Sequence, residues 1–556
     1  MRHRHKTMEK GRAKELWTGV ALLVISGVVQ WPLFDRMIIP MDEGHLAATA
    51  QWMLDGQRLY ADLHTGIFPG IYLLTTGLFA LFGNDLLVTR WVAAAINIVV
   101  IFSLWRIGRR IVSPTWAIVP SLLHLGLIAF AFPVLSMFNY STTALAFSLL
   151  ALLFLLRYLE HGRLIDGLAL GFWVAAATLT KQNFGALTFL SLWIGLMWGR
   201  RESALAGRSW TQTLQPIVSA GLGLSGAVLI WMLWSGILPA FIDRTIVSLG
   251  GSQLQHFDNP IPPLFSAHPA ESRFTFLYTP PALFDALVHG QPFLGLEVNE
   301  TLRSAVIRIT YGAPILVLMA SVLLLARDAN QQRGLPTVEM RSVILFAGFF
   351  SLGIFPSAIW SHLAFVLPAV FLLAVLLADR MTRWLRTQNA SRSLGVWAFL
   401  LMMSGAILIA ATVQRSLHVT RWNDQALNLE RAHLKVSERD QALLVGAINF
   451  IEDCAKPGEA VVALPDIPVV WFLADRANAS RFDLAIPGAV DEIEIVQGLR
   501  LTPIRCLVIN PSMYPEFPPF KQLYPRLAAT IEQDYRGGQV ISAGNARWIG
   551  LVRRNP

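Results

Sequence analysis

Apolar runs of roughly 20 residues recur along this chain, separated by short segments that carry arginines. A run of that length matches the hydrocarbon thickness of a bilayer, and a backbone inside lipid must satisfy its own hydrogen bonds, so each run has to be a helix. Eleven such runs can be placed: Leu16 to Phe34, Leu86 to Trp105, Trp116 to Pro133, Thr142 to Leu156, Ile165 to Thr180, Phe184 to Trp198, Leu214 to Trp234, Ala305 to Ala326, Val343 to Trp360, Leu363 to Ala378 and Leu394 to Val413. With 54% hydrophobic and 15% charged residues over 556 positions, the chain is too apolar for soluble domains alone. The expected class is a polytopic α-helical membrane protein with a soluble C-terminal portion.

The charges between the runs alternate. The head MRHRHKTMEKGRAK is basic, and every second loop carries at least two arginines: Arg106, Arg109 and Arg110; Arg157 and Arg163; Arg200, Arg201 and Arg208; Arg327, Arg333 and Arg341; Arg380, Arg383, Arg386 and Arg392. The positive-inside rule then places the N-terminus in the cytoplasm and the C-terminal segment outside. It also accounts for the net charge of +9, which lies in these loops and not in one nucleic-acid-binding stripe. No Walker, dinucleotide or zinc-finger pattern is present. The first run is followed by Trp31-Pro32 and not by a small-residue cleavage site, so it reads as an uncleaved anchor. Ile71 to Phe82 is apolar but only about 12 residues long, too short to span comfortably. It reads as a re-entrant or interfacial helix with Pro69 near its start, because a span there would put every later arginine cluster outside.

Three portions follow: a cytoplasmic head over 1–15, a membrane module over 16–414 with outside loops at 35–85 and 235–303, and an outside α/β domain over 415–556. The longer loop is rich in proline, histidine and aromatics, and irregular chain of that length is more often a lid or binding loop than a linker. In the last portion VVALP, RCLVIN and ARWIGLV read as buried strands, and Asp440 to Ile451 reads as a helix. Both cysteines, Cys454 and Cys506, fall there; an outside location permits a disulfide, and two buried thiols remain the alternative. Asp475, Arg476, Arg481 and Asp483 read as surface or capping contacts.

Chemistry concentrates in PMDEGHLAATAQWMLDGQRLYADLHTGIFPGIY, residues 40–72, directly behind the first span. It holds an adjacent acidic pair, Asp42 and Glu43, a third carboxylate at Asp62, and His45 and His64. Such groups form either a solvated rim at the mouth of a span or, held in a cleft at the bundle edge, a set of perturbed acids and bases.

From Trp31 to about Arg90 the order "first span, P-x-DE-G, G-x-x-x-Y-x-D, P-x-x-Y-L, L-F-G, distal Arg" is carried by Asp42, Glu43, Gly44, Gly56, Tyr60, Asp62, Pro69, Tyr72, Phe82, Gly83 and Arg90. It resembles the first lumenal or periplasmic loop of GT-C fold glycosyltransferases, most of all the branch of dolichyl-phosphate-mannose protein mannosyltransferases and lipid A aminoarabinose transferases. TLTKQNFGA, SHLAFVLPAVFLLA and LADRANASRFDLAIPG fit the same branch. The resemblance implies an inverting transfer of a sugar from a polyprenyl-phosphate donor. Asp42 matches the general base and Glu43 a residue that steers or shares its proton. Asp62, with Tyr60 and His45, matches support for the acceptor or an ion. The leaving lipid phosphate needs positive charge or a divalent cation. Here the sequence departs from part of the family, with Ile67-Phe68 where a basic residue often precedes the proline, so that task passes to His64, Arg90, Lys181 or His362. The metal requirement stays open. The expected partners are the lipid-linked donor, a lipid or envelope-glycan acceptor and membrane lipids, with no nucleic acid; the expected place is a bacterial inner membrane. Two alternatives stand beside this: a transporter or flippase of a lipid-linked substrate, which would show internal repeats and mid-span charges, and a scaffold that has lost activity.

Overall fold

The computed structural model describes residues 2–248, 258–330, 337–388, 390–485, 490–502, 504–513 and 517–554. Residues 249–257 of the long loop and Arg333 lie outside the described residues.

Every expected run falls on a helix. In chain order these are α1 (Arg2–Gln30), α2 (Asp42–Leu54), α3 (Gly70–Phe82), α4 (Leu86–Ile111), α5 (Val119–Phe130), α6 (Tyr140–His161), α7 (Leu164–Thr180), α8 (Gln182–Gly199) and α9 (Trp210–Trp234). The long loop forms α10 (Leu238–Ile242), α11 (Ser272–Tyr278) and α12 (Pro281–Val288), and the bundle is completed by α13 (Glu300–Asn330), α14 (Val338–Ser351), α15 (Trp360–Thr387) and α16 (Ser391–Trp422). Among the described residues seven helices are long and apolar enough to cross a membrane, and α3, α5 and α7 are shorter apolar helices. Side-chain caps fix some of the starts. Asp85 accepts from Leu87 N at 2.8 Å to open α4, and Asn139 accepts from Ser141 N and Thr142 N at 2.8 and 2.9 Å to open α6.

The bundle has a dry interior and an apolar exterior. Leu149, Leu152, Phe346 and Leu372 are wholly buried, whereas Trp234, Leu323 and Met402 expose most of their surface. Water would not tolerate so much exposed apolar surface; lipid does, because tails are as apolar as leucine. The chain is therefore a multi-pass membrane protein. The arginine-rich loops share one end of it: Glu15 pairs with Arg109 at 2.5 Å and Arg106 at 3.5 Å, Arg110 pairs with Glu160, and Arg341 pairs with Glu202.

After α16 the chain forms a hairpin, β1 (Gln425–Leu429) with β2 (Ala432–Val436), and then α17 (Glu438–Cys454). A four-stranded sheet follows in the order β3 (Val462–Leu464), β4 (Cys506–Ile509), β6 (Ala546–Arg553), β5 (Tyr535–Ala543). The first pair is parallel and the rest antiparallel. Short helices α18 (Val469–Ala474), α19 (Glu492–Leu501), α20 (Phe520–Leu523) and α21 (Pro525–Asp534) flank the sheet. Strands β3, β4 and β6 and helix α17 are those expected from sequence. Both β1 and β2 mix exposed and buried positions, and β5 is mostly exposed, so they lack the continuous apolar signal that marks a buried strand. Cys454 and Cys506 are joined in a disulfide that ties α17 to β4.

Candidate active site

The loop between α1 and α4 and the C-terminal sheet domain build one candidate site together. Beyond α1 the chain runs beside β2, with Lys435 N donating to the Asp35 carbonyl at 2.8 Å and Met37 N to the Lys435 carbonyl at 2.7 Å. Helix α2 then lies against α18. A Cβ on Gly44 would fall 2.1 Å from Val469 N, so glycine is required for this approach. The contact continues through Trp52, whose indole donates to the Arg476 carbonyl at 3.1 Å and meets Trp471 with ring centroids 5.9 Å apart. At the other end of the loop a Cβ on Gly70 would lie 2.7 Å from the Leu179 carbonyl, which seats the start of α3 on the end of α7.

The adjacent acids Asp42 and Glu43, in the first turn of α2, point into different surroundings. Glu43 is 3% exposed; it accepts from Ile39 N at 2.9 Å and from Arg90 Nη2 at 2.6 Å. Arg90 is wholly buried, and the same Nη2 donates to the Met37 carbonyl at 2.5 Å. These two side chains, expected to handle a proton and a lipid phosphate, are turned towards each other and clamp α4 to the loop. Asp42 is half-buried, and among the described residues no hydrogen bond or ion pair engages its carboxylate. Burial raises its pKa above the ordinary value, and the charge of His45 offsets part of that rise.

His45 lies one turn on from Asp42, on the same helix face. Its Nδ1 is 2.6 Å from Asp483 Oδ2, and its Nε2 is 2.8 Å from the Tyr72 hydroxyl. That hydroxyl lies 2.6 Å from Thr65 Oγ1. Burial opposes the imidazolium, but the charge of Asp483, its hydrogen bond and the charge of Asp42 outweigh it, so the His45 pKa is raised. Asp483 is only 3% exposed. It was expected to be a surface or capping residue, and the structure corrects this: it is a buried partner from the C-terminal domain. Nothing in the spacing could show a pairing across 438 positions.

The remaining candidates are dispersed. Tyr60, at φ +67°, is buried; its hydroxyl donates to the Ile67 carbonyl at 2.8 Å and its ring meets Phe241 of α10. It pins the loop. Asp62 accepts two hydrogen bonds from the Arg58 guanidinium, each at 3.0 Å, at an exposed position, and these bonds hold its carboxyl below the ordinary range. His64 lies on Phe482 with centroids 4.9 Å apart. Burial first, then Arg244, Arg481 and His45, pull its pKa down to about 3, so it is neutral near pH 7 and offers a phosphate no charge. His362 is half-buried and bonded through Nδ1 to the Ser357 carbonyl at 2.5 Å.

Lys181 differs from these. It caps the end of α7, is 7% exposed, and donates to Ser141 Oγ at 2.8 Å. Its Nζ lies 4.0 Å from the ring centre of Phe184 and 5.3 Å from that of Tyr140, and among the described residues no carboxylate pairs with it. The next residue, Gln182, reaches the first loop by donating to the Gly66 carbonyl at 2.8 Å. From Thr178, one turn before Lys181, an apolar cavity of about 410 Å³ opens between α7, α8 and α9, lined by Val174, Phe189, Trp193, Ile217 and Leu222.

Among the described residues no group of three or more His, Cys, Asp or Glu is placed to hold a metal ion. The other acid at His45 besides Asp42 is Asp483, and it is turned to the imidazole. This donor set does not fit a bound cation.

Residues 65–238 match the family model described as dolichyl-phosphate-mannose-protein mannosyltransferase. By sequence, no curated protein matches the chain. By structure it is similar to ArnT from Cupriavidus metallidurans bound to undecaprenyl phosphate, at TM-score 0.52 and 16% identity over 97% of this chain and 98% of that one. It is also similar to the oligosaccharyltransferase of Archaeoglobus fulgidus in complex with Zn and sulfate, at TM-score 0.53 and 11% identity over 96% and 73%. AglB from the same organism, in complex with an inhibitory peptide and a dolichol-phosphate, gives TM-score 0.50 and 12% identity over 96% and 74%. The likeness is one of fold: the chain has the GT-C architecture expected from its first loop, with a small sheet domain at its C-terminus.

Proposed function

We propose that this chain is an inverting glycosyltransferase that moves a sugar from a polyprenyl monophosphate to a hydroxyl of a lipid or envelope-glycan acceptor. The observation that carries the reading is Asp42, a half-buried carboxylate without an ion-pair partner among the described residues, held in a first helical turn beside a histidine. Asp42 takes the proton of the acceptor hydroxyl as that oxygen attacks the anomeric carbon from the face opposite the phosphate. The bond from carbon to the phosphate oxygen breaks, its electron pair leaves with the polyprenyl phosphate, and the configuration inverts. A positioned base contributes about 10²- to 10⁴-fold to such a step.

Charge developing on the departing phosphate needs a cation in a dry place. Lys181 supplies one: a buried ammonium with no counter-ion is costly, and an incoming phosphate would complete it. The apolar cavity that opens one turn away suits the first isoprene units of the donor. The lipid phosphates bound by ArnT and AglB support this class of donor. On the positive-inside rule, the arginine-rich end faces the cytoplasm and the site faces the periplasm of a bacterial inner membrane. In this scheme residues 16–414 form the catalytic membrane module and 415–556 an outside domain.

The test is transfer of tritium-labelled sugar from polyprenyl-phosphate donors in membranes holding the wild type or Asp42→Asn, matched for folded protein. The variant should lose the labelled product. Equal labelling would reject Asp42 as base, and no product from the wild type would turn the reading towards a transporter or an inactive scaffold.

A further inference from the structure

Helix α2 meets the C-terminal domain at one polar contact as well as at the apolar Gly44–Val469 and Trp52–Trp471 seam. At that contact a carboxylate from the loop after α18 reaches a histidine that shares a helix face with Asp42. Asp483 Oδ2 lies 2.6 Å from His45 Nδ1, and the pair is closed on the other side by the Tyr72 hydroxyl at 2.8 Å. A carboxylate so close fixes Nδ1 as a donor. Tyr72 can accept from Nε2 and pass its own proton to Thr65 Oγ1, 2.6 Å away, so the chain Asp483, His45, Tyr72, Thr65 is satisfied with the ring doubly protonated.

From this geometry we infer that Asp483 is a positioning residue of the transfer reaction, through which the C-terminal domain holds His45 as an imidazolium beside Asp42 and keeps Asp42 an ionised base. The inference rests on the reading of Asp42 above and adds a residue to it. The domain thus completes the site in addition to covering it. The titratable groups facing His45 are Asp42 on its own helix, Tyr72 on α3, His64 on the loop and Asp483 from the domain. Of these His64 is neutral near pH 7, so the charge balance lies between two carboxylates and one imidazolium. The directions agree: Asp483 raises His45, and His45 in turn lowers Asp42.

The test is the pH profile of labelled-sugar transfer for the wild type, Asp483→Asn, Asp483→Glu, His45→Gln and the double variant His45→Gln/Asp483→Asn. Removing the Asp483 charge lets His45 lose its proton sooner, and Asp42 then loses the cation that favours its ionised form. The acid limb should move up by about one pH unit. Asp483→Glu should keep the wild-type limbs. The double variant should be no worse than His45→Gln, because the carboxylate acts through the ring.

Thermal unfolding of the purified full-length protein separates this pair from the reaction. His45 has a raised folded-state pKa, so its contribution to stability is present at low pH and is lost as the pH rises through that value. The loss of Tm in Asp483→Asn should accordingly be larger at pH 6 than at pH 9. A uniform fall in transfer with unmoved limbs, additive losses in the double variant, or a Tm loss independent of pH would each reduce Asp483 to a docking contact. If Asp42→Asn keeps full transfer, the base reading falls, while the unfolding measurement still decides the His45–Asp483 pair. If Asp483→Asn does not fold, His45→Gln and Asp483→Glu carry the same comparison.

Discussion

Asp42 and Glu43 are neighbours in sequence and opposites in structure. Glu43 lies on the buried face of α2 against α4, with Arg90 and the Ile39 amide on it; Asp42 lies at the half-open edge, with a histidine one turn away and no hydrogen bond or ion pair on its carboxylate among the described residues. A helix turns by 100° per residue, so two adjacent acids cannot share a face; here one is spent on the fold and the other is left without a partner among the described residues. The difference teaches that the acidic pair in this loop is two devices. One fastens the loop to the bundle. The other is held in place by that fastening.

Breaking the pair on each side in turn should give the largest effects, of opposite kinds. Glu43→Ala leaves the Arg90 guanidinium buried without its carboxylate, and loss of one partner from such a pair typically costs about 3–5 kcal/mol, so folded yield and thermal stability in detergent should collapse. Asp42→Asn should instead cut transfer by about 10²- to 10⁴-fold and leave stability intact or improved. The sign follows from the raised Asp42 pKa. A carboxyl that binds its proton more tightly when folded adds stability at acid pH and loses it as the pH rises, so at neutral pH removing its charge removes a cost. Measured side by side, unfolding and transfer should cross over between the two variants. If both lose activity at unchanged stability, the acids act as a catalytic pair and the comparison fails.

How much of this was legible beforehand follows from the kind of signal each feature leaves. The spans could be read because lipid imposes a run of apolar residues on every one. The candidate loop stood out because its acids and histidines stand together within about 30 residues. What could not be read was who faces whom. Glu43 finds Arg90 across 47 positions, and His45 finds Asp483 across 438. Such contacts exist only once α2 has packed on α4 and α18. Likewise, Arg90, His64 and Lys181 looked equivalent as basic residues near the loop. Burial separates them: one is paired with a carboxylate, one is neutral, and one is a buried amine without a carboxylate partner among the described residues.

Lys181 is therefore the next point at which the comparison can be sharpened, with a smaller effect. Lys181→Met removes the ammonium and keeps the apolar contact with Phe184. It should raise the KM for the lipid-linked donor by about tenfold or more, the worth of a charge-assisted hydrogen bond, and change kcat less. Stability should hold or rise, since the cost of burying a polar amine is lost. Lys181→Arg should recover part of the affinity. Titration of donor into membranes of each variant measures this. An unchanged KM in Lys181→Met would confine the lysine to its bond with Ser141 and return the phosphate to another cation.

The smallest effect is expected at Asp62, and it tests whether the division between fastening and chemistry extends along the loop. Resemblance alone gave Asp62 a share in holding acceptor or ion, yet it stands at the surface with both oxygens on Arg58, four residues earlier. Exposed pairs of this kind contribute little to stability, and that little is lost as the pH falls through the depressed carboxylate range. Asp62→Asn and Arg58→Gln should then behave alike, each lowering transfer only a little through a looser turn between α2 and α3. A pair that merely shapes the turn cannot distinguish its two members; a carboxylate that meets the acceptor can. If Asp62→Asn abolished transfer while Arg58→Gln did not, Asp62 would have to leave its arginine when substrate binds, and the loop would carry two working acids, Asp42 and Asp62, instead of one.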